Sequence, residues 1–67
     1  MSVVKVIEVL AESSKSWEDA AQCAVTEAAK TIDNINQIYI ESFQAVVNDN
    51  RILGYRVNAK VSFLVEN

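Results

Sequence analysis

The sequence predicts an α+β fold: a β-α-β-β subunit with a three-stranded antiparallel sheet, order 1-3-2, packed on one helix. Three observations carry this. The chain opens on a β-branched run, continues with alanines at three-four spacing, and closes on an alternation of apolar and polar residues. A helix between strands one and two makes those strands parallel, with a right-handed crossover, and a hairpin makes strand three antiparallel to strand two. An all-antiparallel sheet then needs strand three in the middle.

Val3 to Leu10 reads as the first strand, expected over about 3–10. Its apolar residues occupy both faces except at Lys5 and Glu8, which predicts contact on both sides. Ala11 to Lys15 is a polar stretch. Ser16 with Asp19 three residues later then resembles a capping box, and Glu18 and Asp19 put negative charge in the first helical turn. The helix is expected over about 17–32. Trp17, Ala20, Ala21, Ala24, Val25, Ala28, Ala29 and Ile32 form its apolar stripe, which being mostly alanine lets the axis approach a sheet closely. Asp33 and Asn34 favour turns and end it.

The second strand is expected over about 36–47, with Ile38, Tyr39, Ile40, Phe43, Val46 and Val47. The turn is Asn48-Asp49-Asn50-Arg51, with Gly54 as its outer limit. The third strand is expected over about 54–66. Tyr55, Val57, Ala59, Val61, Phe63 and Val65 fall on one side; Arg56, Asn58, Lys60, Ser62 and Glu66 fall on the other, with Leu64 the exception.

Sixty-seven residues make one domain, expected over 1–67. A chain this short buries only about 60% of its unfolded surface as a monomer. Yet 51% of its residues are hydrophobic and only 22% are charged. One cysteine and no histidine exclude an intrachain disulfide and a Cys/His zinc site. Self-association is the remaining way to stabilise so small a domain, with a second subunit covering the sheet face opposite the helix. A homo-oligomer is expected.

The net charge is −3 and the six basic residues are scattered, which argues against nucleic-acid binding. No apolar run reaches the roughly 18 residues of a membrane span. The start, MSVVKVIEVL, does not read as a signal peptide, so a cytoplasmic protein is expected. Without histidine there is no common general base, and Cys23 has nothing to activate it. The chain is not expected to be an enzyme, and Cys23 is expected to be a buried or half-buried inert thiol.

A chain of this length that opens VVKVIEVLAESSKSWEDAAQCAV and closes YRVNAKVSFLVEN resembles the dodecins. The resemblance spans nearly the whole chain. It rests on Lys5-Val6-Ile7-Glu8, on Ser16-Trp17-Glu18, on Tyr55-Arg56-Val57 and on Val61-Ser62-Phe63. It implies a hollow homododecamer of tetrahedral symmetry that binds and stores a small ligand without turning it over. The family ligand is a flavin: riboflavin, FMN or FAD.

In flavin-binding dodecins a Trp entering strand two stacks on the ring, and a Gln after the strand-three Tyr hydrogen-bonds the ring edge. The resemblance puts Gln37 and Arg56 at those positions, and both depart. Gln37 has no ring with which to stack. Arg56 has five donors and no acceptor, where a Gln offers both; its guanidinium could still meet a carbonyl, a phosphate or a ring face. Trp17, Tyr39 and Tyr55 are expected to pack in the core, the sheet or a subunit contact rather than to replace the missing stack.

A second branch, the calcium dodecins, resembles this chain in its Ser-Trp-Glu helix start, its Tyr-Arg in strand three and its lack of the flavin Trp. It implies the alternative: a calcium-binding or purely structural assembly without flavin. Calcium takes about six to eight oxygen ligands. The candidates are Asn48, Asp49 and Asn50 in the hairpin turn, with Asp33 and Asn34 after the helix. Turn geometry alone also accounts for these residues. Glu8, Glu12, Glu41 and Glu66 are further donors if symmetry brings copies together. The charges of Lys5, Glu8, Arg56, Lys60 and Glu66 suit either ion pairs or the lining of a hollow interior.

Overall fold

The computed structural model describes residues 2–65; Glu66, expected at the end of strand three and among the oxygen donors, lies outside them. Four elements follow one another: β1 (Val3–Ser13), α1 (Trp17–Ala28), β2 (Ile35–Asn48) and β3 (Arg51–Val65). The sheet order is β1-β3-β2, and both ladders are antiparallel. The topology is the one that the hydrophobic pattern predicts.

The β1–β3 ladder runs without a break from Val3 opposite Val65 to Ser13 opposite Tyr55. The β2–β3 ladder shifts register three times, between Ile35 and Gln37, Ile40 and Ser42, and Val46 and Val47. Such irregularities bend a strand and raise its local twist. Alternation along β3 defines the two faces. Val57, Ala59 and Val61 are buried, as are Ala20, Ala24 and Ala28 of α1, and these six form the apolar core among the described residues. Their ladder partners Ala11, Val9 and Ile7 on β1, and Phe43, Ile40 and Ile38 on β2, share the helix side.

This core is small. Val57 and Val61 are its largest fully buried side chains. On the face away from the helix, Val4, Val6, Leu10 and Tyr39 are all more than half exposed. The Cα radius of gyration is 13.7 Å, against about 11 Å for a compact chain of this length. The β2–β3 hairpin explains the excess, because it continues past the last β1 pair, Ser13 opposite Tyr55, as a two-stranded arm. The molecule measures 51 × 20 × 13 Å as a result.

Five details differ from expectation, each for a local reason; one is that Ala29, expected on the apolar stripe of the helix, is exposed because α1 ends just before it. β1 continues to Ser13, because Ala11 and Ser13 keep the inward alternation opposite Val57 and Tyr55. α1 ends at Ala28, not Ile32. Beyond it the Lys30 and Thr31 amides bond to Glu27 and Ala28 at 3.2 Å, a tightened three-residue pattern, and Asn34 reverses the chain at φ 64°. β3 begins at Arg51 rather than near Gly54, since the turn needs only Asp49 (φ 57°) and Asn50 (φ 63°). Two left-handed residues make the hairpin turn whose twist matches that of its strands. Finally, Cys23 is exposed, because it precedes Ala24 on α1 and points off the buried stripe.

Candidate functional site

The residues singled out from the sequence lie at three levels along the long hairpin. Gln37 sits on β2 opposite Ser62, while Arg56 on β3 lies between Glu12 of β1 and Gln44 of β2. Strand alternation puts both on the helix-free face. Six β3 positions separate them, about 20 Å at ~3.3 Å per residue. One chain does not bring Gln37 and Arg56 together. Asn48, Asp49 and Asn50 occupy the hairpin tip, farther still from Gln37.

Arg56 is already engaged. Its Nε donates to Glu12 Oε1 at 2.6 Å, with the two side chains 42% and 53% exposed. An exposed pair of this kind contributes about 0–1 kcal/mol. The Glu12 carboxyl group also lies over Gly54, its Oε2 3.6 Å from where a Cβ would stand. Order 1-3-2 alone does not reveal the pair, because finding it requires the β1–β3 register.

Of the carboxylates named as possible oxygen donors, Glu8 and Glu41 come together. They line an open cavity of about 180 Å³ with Leu10 and Asn58 on the helix-free face. Glu41 is paired with Lys60 Nζ at 3.3 Å, although Lys60 stands directly opposite Glu8 in the ladder. Among the described residues no group of three or more His, Cys, Asp or Glu side chains is placed to hold a metal ion. At the hairpin tip Asp49 is the single carboxylate, and its positive φ is what the two-residue turn requires. That is too few oxygens for a calcium ion from one chain. The flavin positions fit no better: Gln37 supplies no ring, and the Arg56 Nε–H is held by Glu12.

A polar and aromatic knot holds the start of α1. The Asp19 amide donates to Ser16 Oγ at 3.0 Å, the forward half of the expected capping box. The Asp19 carboxylate instead accepts from the buried Ser13 hydroxyl at 2.6 Å, and Ser13 Oγ accepts from the Lys15 amide at 2.9 Å. Trp17 meets Tyr55 and Phe43 edge-on, with centroids 4.9 and 5.9 Å away. It therefore packs between helix and sheet, on the side opposite Arg56. Between α1 and β2 an apolar groove of about 350 Å³ is lined by Trp17, Glu18, Ala21, Ile40 and Phe43. Among the described residues no helix is long and apolar enough to cross a membrane.

Comparison with known proteins agrees with this architecture. The Dodecin family model matches residues 3–66. A calcium dodecin of Mycobacterium tuberculosis is 36% identical over 63 residues, covering 94% of this chain and 89% of that protein. A crystal structure of the M. tuberculosis calcium dodecin, a calcium-chelating antigen with a calcium-binding site, superposes with a TM-score of 0.84. It is 34% identical, and the match covers 97% of this chain and 93% of that one. A single-substitution variant of the T. thermophilus dodecin superposes at a TM-score of 0.94 over the full length of both chains. At 24% identity, that likeness speaks to the fold alone.

Proposed function

The chain belongs to the dodecin family, and from that premise we propose that it forms a non-catalytic homododecamer that binds and stores a small ligand. The supporting observation is how little one chain can bury. A core of three alanines from α1 with Val57, Ala59 and Val61 leaves Val4, Val6, Leu10 and Tyr39 in water. Burying such residues contributes about 25 cal/mol per Å², and neighbouring subunits are the natural means. In this reading Arg56, Lys60, Glu8 and Glu41 form a polar strip of the helix-free face that lines the interior, while neighbouring copies cover the apolar residues of that face. Gln37 and Arg56, too far apart within one chain, form a ligand site only when they come from different copies. Flavin is the family ligand, but the loss of the Trp stack predicts weak binding.

The second reading is a calcium-binding or structural assembly without flavin. The relationship to a calcium dodecin favours it. Asn48, Asp49 and Asn50 would supply oxygens at the hairpin tip, and symmetry copies would complete the shell.

Native mass spectrometry of the protein purified without added ligand tests both readings. Mass near twelve chains is the expected outcome, and excess mass identifies the ligand as flavin or as multiples of calcium. A monomer would overturn the assembly. For the ion, the melting midpoint is compared with and without a chelator in wild type and in Asp49→Asn. Asn keeps the left-handed turn but loses the charge. A calcium-dependent midpoint in wild type that disappears in the variant supports the turn as a ligand. Equal calcium dependence in both removes the turn residues from the site.

A further inference from the structure

We propose that the apolar arm at the β2–β3 hairpin tip of one copy docks in the α1–β2 groove of a neighbouring copy, with Arg51 of the arm meeting Glu18 of the groove. The inference rests on the assembly reading above and specifies one of its contacts. The arm carries Val47, Ile52 and Leu53, exposed by 60%, 56% and 56%, beyond the point where β1 stops pairing. The groove is walled by Trp17, Ala21, Ile40 and Phe43, and Phe43 is 63% exposed despite its contact with Trp17. Each is an apolar patch without a cover, of the kind that marks an interaction surface.

The arm cannot fill its own groove. Val47 lies four residues beyond Phe43 on a strand that keeps running away from the groove, about 13 Å at ~3.3 Å per residue. The cover must therefore be another molecule, and charge points to a second copy of this chain. Among the described residues Arg51 has no carboxylate within ion-pair distance, and Glu18 has no cation. Arg51 stands at the arm tip, and Glu18 is the one charged residue among the described residues that line the groove. The competing crevice, between α1 and β1, is bordered by Glu12 and Glu27. Both of those are already paired, with Arg56 and Lys30. Apolar surface therefore admits either crevice, and charge selects the α1–β2 groove.

A charge swap tests this, read by native mass spectrometry over a dilution series, with circular dichroism to confirm that each variant is folded. Arg51→Glu and Glu18→Lys each place like charges together. Each is expected to raise the concentration at which the assembly dissociates by about tenfold. The double variant, with the charges exchanged, is expected to return to within about threefold of wild type. Single variants that dissociate like wild type, or a double variant no better than the weaker single, overturn the contact while the assembly reading stands. A monomeric wild type overturns both.

Discussion

The indole Nε1–H of Trp17 donates to the Gln44 carbonyl oxygen at 2.8 Å, fastening the first residue of α1 to β2. Tyr55 and Phe43 meet the same ring edge-on. The contact fixes where the helix starts above the sheet, and so where the alanine stripe lands.

Trp17→Phe keeps an aromatic ring and removes the donor. A net cost of about 1–2 kcal/mol is expected, the value of one hydrogen bond plus some lost contact. Urea denaturation measures it; an unchanged midpoint would mean that the bond contributes nothing to stability.

Ser13 and Asp19 form the polar half of the same junction. Ser13→Ala leaves the Lys15 amide and the Asp19 carboxylate without their partner on the buried side. A loss of about 1–2 kcal/mol is expected. Ser16→Ala removes the helix cap and is expected to cost about 1 kcal/mol. Thermal melts of both variants check the pair, and Ser16→Ala should not exceed Ser13→Ala.

Asn50 sits at φ 63° in the hairpin turn. Asn50→Gly is expected to raise the melting midpoint slightly, and Asn50→Ala to lower stability by about 1 kcal/mol, because a Cβ is penalised in the left-handed region. If both variants melted alike, backbone geometry would not be what selects the residue.

Ala24 lies in the layer between helix and sheet, 6% exposed. Ala24→Leu forces α1 away from Val57 to Val61 and is expected to cost about 1–3 kcal/mol. The same change at Ala29, which is exposed just after the helix, should cost less than about 0.5 kcal/mol. Denaturation of the two variants side by side measures the difference.

Local pattern alone determined the element order, the sheet order and most of the inward residues, though not Ala29, which was expected on the helix stripe and is exposed. Alternation at Val57, Ala59 and Val61, and three-four spacing at Ala20, Ala24 and Ala28, state which side of each element must be dry. Those are short-range properties, set by backbone geometry. The resemblance carried by the Ser16-Trp17-Glu18 and Tyr55-Arg56-Val57 motifs indicated the family. The positions of the candidate site residues were less legible, because they depend on register. Only the ladders put Glu12 beside Arg56 and six strand positions between the levels of Gln37 and Arg56, and only the side-chain geometry pairs Lys60 with Glu41 rather than with Glu8, its ladder partner. Element ends were also tertiary outcomes. β1 lengthens because Ser13 finds Asp19, and α1 shortens where Asn34 turns the chain so that its carbonyl accepts from the Leu64 amide at 3.0 Å. Periodicity says which way a side chain points; the fold decides what it meets, because strand pairing joins residues that are distant along the chain.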